Sequence, residues 1–150
     1  MKNFLLILTA VTITAVSGSQ SLALAPFKKA WATKYLENHK NEDFQKVAKK
    51  ASCNVCHIKG AKKNFQNDYG KLINKLIEGD ANKRKKEAAD SKAEMAKILK
   101  EFEAAIDKVA KEKSDGGKGP TYGELIKEGK LPVDLAVAKK KYDEEQKKAK

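Results

Sequence analysis

The chain has 150 residues, a formal net charge of +12 and a charged fraction of 35%. This length predicts a single domain, and an aromatic content of 7% predicts a thin intrinsic core. The positive charge favours acidic partners and a weak association with anionic membranes. Nucleic acid is not expected as a partner, because no recognition motif is present. An enzyme acting on an organic substrate is not expected either, since the sequence has no Ser–His–acid set and no phosphate-binding loop.

Residues 1–25 are predicted to be a secretory signal peptide. Lys2 provides a basic start, a short apolar run follows, and Ala23-Leu24-Ala25 fits the pattern of a cleavage site. The apolar run is short for a membrane span, and an uncleaved anchor is the alternative. Because Lys2 is the only charged residue in the segment, the domain that remains, 26–150, has a net charge of +11. It is expected in the periplasm or outside the cell, with a polar, Lys-rich C-terminal tail.

Two helices are predicted in the first part of this domain. Phe27, Trp31 and Tyr35 recur at every fourth position after Pro26, which indicates an amphipathic helix. Asn41 is the predicted N-cap of a second helix. The inward face of this second helix is predicted to carry Phe44, Val47, Ala48, Ala51 and Val55.

The second helix leads into Cys53-Asn54-Val55-Cys56-His57, which contains both cysteines and one of the two histidines of the chain. C-x-x-C-H is the attachment motif of haem c. Two thiols near one helical turn apart are placed to bond to the two vinyl groups on one side of a porphyrin. His57 falls one turn after Cys53, where its imidazole is placed to bind the iron. The motif therefore predicts one covalent haem c, with Cys53 and Cys56 as attachment sites and His57 as the proximal iron ligand.

Three other chemistries use similar residues. A redox-active dithiol also has the C-x-x-C spacing, but it is expected in a βαβ setting, whereas the surrounding sequence indicates helix. A zinc site would need four ligands, which Cys53, Cys56, His57 and His39 could supply. A structural disulfide between the two cysteines would close a very small loop in strained geometry. These alternatives are less favoured than haem.

A third helix is predicted after a basic loop. Its apolar face is expected to consist of Tyr69, Leu72, Ile73, Leu76 and Ile77. Gly79 is predicted to end this helix.

Helices continue to the end of the chain, so the predicted fold is all-α. Ser91 and Glu94 form a predicted capping box for a fourth helix, which Gly116-Gly117 is expected to stop. Thr121 and Glu124 form a second predicted box, for a short fifth helix. A weaker pattern predicts a last helical segment near the C-terminus.

The sequence offers two candidate residues for the sixth ligand of the haem iron. Met95 is the only methionine besides Met1 and lies in the first turn of the predicted fourth helix, where an ordinary core position is the competing interpretation. His39, at the end of the first helix, is the second candidate. An open site, a water ligand or a less usual ligand such as lysine are the remaining alternatives.

Taken with the motif, two further segments resemble those of small single-haem cytochromes c exported by bacteria. They are Asn67-Asp68-Tyr69-Gly70 and the stretch from Thr121-Tyr122-Gly123-Glu124 to Gly129-Lys130-Leu131-Pro132. The resemblance implies a small cytochrome c-like helical domain wrapped around one haem, with Cys53 and Cys56 bound to it, His57 on the iron, and a role in electron transfer.

The resemblance leaves more than one function open. A haem with six ligands suits electron transfer, whereas a haem with five ligands suits binding or sensing of small gases or peroxide. A third possibility is a subunit that docks on a larger redox complex through Lys59, Lys62, Lys63 and the 83–86 cluster. The expected partner is an acidic redox protein or a membrane redox complex.

Overall fold

The protein is described by a computed structural model that covers residues 25–79, 83–84 and 91–149. Its helices are α1 (Ala25–Tyr35), α2 (Glu42–Ala51), α3 (Asp68–Lys75), α4 (Lys92–Val109), α5 (Tyr122–Lys127) and α6 (Leu135–Lys148), with 3-10 turns at Ser52–Val55 and Asp115–Gly117. No strand occurs in these ranges, and the prediction of an all-α fold is confirmed. Within the same ranges, no helix combines the length and apolar character needed to cross a bilayer. The predicted signal peptide lies, except for Ala25, outside the described residues.

The packing of α1 against α4 forms one side of the core. The rings of Phe27 and Phe102 meet edge to face, with centroids 5.1 Å apart, which is a favoured aromatic geometry. Further along the same pair of helices, the Tyr35 hydroxyl donates a hydrogen bond of 3.1 Å to the Ile106 carbonyl. The predicted apolar stripe of the first helix is therefore confirmed as the face that packs on α4.

Tyr69, at the start of α3, lies at the centre of the molecule and is fully buried. Its hydroxyl accepts a hydrogen bond of 3.1 Å from Trp31 Nε1, and its ring lies 5.1 Å from that of Tyr122. Burial raises the pKa of Tyr69, so the phenol stays neutral at ordinary pH. One side chain thus connects α1, α3 and α5.

The predicted helix starts are mostly correct. The Asn41 side chain accepts from the Phe44 amide at 2.9 Å, and Thr121 and Glu124 form a complete capping box. At α4 only half of the predicted box forms. Ser91 caps the Glu94 amide, but the Glu94 carboxylate binds Arg84 instead of returning to the cap.

Two residues predicted to face inward are exposed. Val47 is 52% exposed, because the buried side of α2 is defined by Phe44, Ala48 and Ala51, and Val47 lies about 100° around the helix from its neighbour Ala48. Leu76 is 41% exposed, because it follows the last residue of α3 in a tightened turn.

Two helices end earlier than the glycines predicted. α3 ends at Lys75, and Gly79 forms a later turn with φ +67°. α4 ends at Val109, well before Gly116-Gly117, because α5 docks there: the Gly123 amide donates to the Ala110 carbonyl at 2.8 Å. A Cβ on Gly123 would lie 2.8 Å from that same oxygen, so this approach requires glycine.

Replacing Tyr69 by Phe should test the central hydrogen bond. The change keeps the ring but leaves the buried Trp31 N–H without its acceptor, so we expect the free energy of unfolding to fall by about 1–3 kcal/mol. Urea denaturation measures the loss. Tyr142→Phe, at a ring that meets Phe65 near the surface, is the control and should change stability by less than about 0.5 kcal/mol. Equal stability of the Tyr69→Phe variant and the wild type would contradict the assignment.

Candidate functional site

The C-x-x-C-H motif forms a compact turn directly after α2. The His57 amide donates to the Cys53 carbonyl at 3.1 Å, so the two residues lie one turn apart, and Cys56 lies between them. Both cysteines are present as thiols and are partly buried. The side chains of Cys53, Cys56 and His57 line one cavity. The structure therefore brings together the three residues that the sequence singled out.

This cavity opens between α1, α2, α3 and α4 and has predominantly apolar walls. Its enclosed volume is about 150 Å³, which is below the usual range of ligand-binding pockets, and its mouth opens to solvent. The apolar walls include Phe27, Trp31, Leu36, Ile73, Ile77 and Phe102. Two thiols and an imidazole beside apolar walls fit the chemistry of a flat, apolar porphyrin that is attached covalently.

Asn67 fixes the backbone of the motif through hydrogen bonds. Its side-chain N–H groups donate to the carbonyls of Asn54 and Val55 at 3.2 and 3.0 Å, and its backbone N–H donates to the Cys56 carbonyl at 3.0 Å. Its side-chain oxygen accepts from the Gly70 amide at 3.0 Å and so caps α3. Asn67 is 2% exposed, and it links the N-terminus of α3 to the residues between the two cysteines.

Gly70 brings α3 against the motif. A Cβ at this position would overlap the Cys56 carbonyl oxygen, which belongs to backbone and has little freedom to move. Only glycine therefore permits this close approach, although its φ is not positive. The first turn of α3 and the second cysteine of the motif are in direct contact.

The residue before the motif has a strained backbone. Ser52 has φ +53° and ψ −123°, a conformation that residues with a side chain rarely adopt and that costs about 1–3 kcal/mol. Its amide still donates to the Ala48 carbonyl. The unusual φ turns the chain sharply between α2 and the 3-10 turn that carries Cys53.

A basic loop follows the motif and returns to it. His57 pairs with Gln66 in an antiparallel bridge, and the Ile58 amide donates to the Phe65 carbonyl at 3.1 Å. The exposed lysines of this loop are Lys59, Lys62 and Lys63. The bridge keeps these three charges close to the motif in the structure as well as in the sequence.

The structure does not bring either proposed sixth ligand to the cavity. Met95 packs against the core from the first turn of α4 and is not among the residues that line the cavity. His39 uses both ring nitrogens elsewhere, since Nε2 donates to the Ile126 carbonyl at 2.8 Å and Nδ1 accepts from the Asn41 amide at 3.1 Å. Ligation by Met95 or His39 stays a prediction, and these positions do not favour it.

The zinc alternative gains no support from the arrangement. Across residues 25–79, 83–84 and 91–149, no three His, Cys, Asp or Glu side chains cluster as a metal site. His39, the proposed fourth ligand, lies against Phe44 with the rings tilted and their centroids 4.6 Å apart. It therefore serves the packing between α2 and α5.

Arg84, one residue of the predicted 83–86 docking cluster, forms ion pairs within the protein. Arg84 binds Glu94 at 2.8 Å and Glu101 at 2.7 Å, and its side chain is only 16% exposed. It also donates to the Glu78 carbonyl, so it joins the turn after α3 to α4. Lys85 and Lys86 lie outside the described residues.

Sequence reasoning missed several polar residues on or behind the cavity. Lys28, Lys49 and Asn74 line it, but each looks like an ordinary helix-surface residue in the sequence. Asn67 had one available signal, because an Asn before an apolar helical pattern is a typical N-cap. Its bonds to the motif depend on the fold and have no local signature.

Comparison of the chain with protein-family models, curated proteins and solved structures finds no match. The arguments for its function therefore come from its own residues and their geometry.

Asn67→Ala should weaken the fold at the motif. The change leaves the carbonyls of Asn54 and Val55 without their donor, so we expect unfolding to cost about 1–3 kcal/mol less, as measured by urea denaturation. Asn67→Asp separates the two roles, because a carboxylate still caps the Gly70 amide but cannot donate to the motif. It should also be destabilised. Asn64→Ala, in the exposed part of the same loop, is the matched control; a loss as large as that of Asn67→Ala would contradict a specific role for Asn67.

Proposed function

We propose that this protein is an exported, single-haem c-type cytochrome that transfers electrons. The supporting observation is that both thiols and the imidazole of the C-x-x-C-H motif line one apolar cavity. Cys53 and Cys56 would hold the haem through thioether bonds, and His57 would be the proximal iron ligand. The domain would then be a cytochrome c-like helical fold around this single cofactor.

Haem c supplies a one-electron iron centre when it is bound. The chain's own residues position and shield it. Apolar side chains from α1, α3 and α4 would shield part of the cofactor from water, and Asn67 and Gly70 fix the motif against α3. A fixed motif suits electron transfer, because little has to rearrange when the charge on the iron changes.

The charge of the surface supports an acidic partner. Lys59, Lys62 and Lys63 are exposed beside the motif, and the domain as a whole has a large positive excess. Such a field would speed encounter with an acidic redox protein or a membrane redox complex. The segment 1–25, with its signal-peptide pattern, supports export to the periplasm or beyond, where haem c is attached in bacteria.

A second function, binding or sensing of small gases or peroxide at a five-coordinate haem, is favoured by one observation. Neither Met95 nor His39 lines the cavity, so neither is in place to close the sixth position. The two functions differ in what they require of that position, and spectroscopy separates them.

Covalent attachment is the first test of the proposed function. In protein made with a haem c maturation system, the haem should stay on the polypeptide through acid–organic extraction, as measured by mass spectrometry. Cys53→Ala and Cys56→Ala should each retain haem poorly, because one thioether is lost. Ser52→Ala, next to the motif but without a thiol, should retain it fully. Complete extraction of haem from the wild type would contradict the proposal.

The second test compares the ligand variants Met95→Ala and His39→Ala. For an electron carrier we expect a low-spin absorption spectrum and slow carbon monoxide binding in the wild type, because the sixth position is filled. If Met95 or His39 fills it, the corresponding variant alone should become high-spin, and the other serves as its control. A wild type that binds carbon monoxide at once, with unchanged spectra in both variants, would favour the gas-binding function.

A further inference from the structure

Two lysines from different helices stand at the edge of the cavity. Lys28 lies on α1 and Lys49 lies near the C-terminal end of α2, and both are exposed while lining the cavity. None of the described residues that line this cavity is acidic. In the described part of the chain, no carboxylate pairs with Lys28 or Lys49.

Two other lysines on these helices are paired, whereas Lys29 and Lys50 have no carboxylate partner among the described residues but do not line the cavity. Lys34 of α1 binds Asp107 at 2.6 Å, and Lys46 of α2 binds Asp43 at 3.2 Å. The two lysines at the cavity thus carry positive charge toward an apolar space that contains no compensating charge from the described residues. A ligand that matches these residues is an apolar molecule with anionic groups at its edge.

A separate observation also indicates a polar group on the ligand. Asn74 Oδ1 is buried on the cavity wall and has no hydrogen-bond partner among the described residues. Buried polar atoms are nearly always hydrogen-bonded, so this amide is expected to gain a partner from the molecule that fills the cavity. If the side-chain amide of Asn74 is flipped by 180°, its NH₂ group takes the place of Oδ1 and can donate to the ligand instead.

We propose that Lys28 and Lys49 pair with the two carboxylates of the haem and thereby raise its reduction potential. This inference rests on the proposed function. The two pairs would connect α1 to α2 through the cofactor. A positive charge near the iron favours the reduced state, which carries one positive charge fewer, and salt weakens the effect at an exposed site.

The experiment is an equilibrium redox titration of four single variants at low and high salt. Lys28→Glu and Lys49→Glu reverse the proposed charges. Lys29→Glu and Lys50→Glu are the matched controls, because each is the exposed next residue on the same helix and does not line the cavity. We expect the midpoint potential to fall clearly in the first two variants, to fall much less in the controls, and the difference to shrink at high salt. Covalent haem content and far-UV circular dichroism show that each variant is loaded and folded.

Three results would overturn the inference. Equal shifts in the cavity variants and the controls, with haem attached, would remove it and leave the proposed function standing. A change from low spin to high spin in Lys28→Gln or Lys49→Gln would mean that the lysine binds the iron instead of a carboxylate. A wild type without covalent haem would overturn both this inference and the proposed function.

Discussion

The rest of the site depends on the contact between α3 and the C-x-x-C-H turn. Asn67 satisfies the carbonyls between the cysteines, and the missing side chain of Gly70 allows the helix to reach Cys56. Since Tyr69 stands between these two residues and binds Trp31, the same short segment sets the position of the motif and the centre of the core. The orientation of the two thiols and the imidazole is therefore determined by the tertiary fold, even though the motif itself is local.

Part of the apolar core faces the cavity. Several of its large apolar side chains, including Phe27, Trp31 and Phe102, are buried and also line the open space. A flat apolar cofactor filling that space would cover the remaining apolar surface of these side chains and stabilise the helices around it. The proposed cofactor would thus complete the interior at the cavity.

The parts of the structure that follow from local chemistry were predictable from the sequence. Capping by Asn41 and Thr121 needs only neighbouring residues, and the spacing of Cys53, Cys56 and His57 places them on one turn. Features set by distant contacts were not. Glu94 leaves its capping box because Arg84 competes for it, and α4 stops early because α5 takes the Ala110 carbonyl. Lys28, Lys49 and Asn74 likewise come to line one cavity only when α1, α2 and α3 pack together.

The C-terminal helix gives the molecule a region of low local stability. α6 has no buried residue; its first residue, Leu135, packs partly against the core, and beyond it the ring of Tyr142 contacts Phe65 and Lys141 forms an ion pair with Asp68. Helices with so little buried surface open locally at a free energy far below that of global unfolding. Because the last two contacts end on the loop after the motif or on the first turn of α3, opening of α6 removes support from that loop while the core stays folded. We therefore expect α6 and the basic loop to open as one unit, and their backbone amides to exchange with solvent deuterium sooner than those of α4.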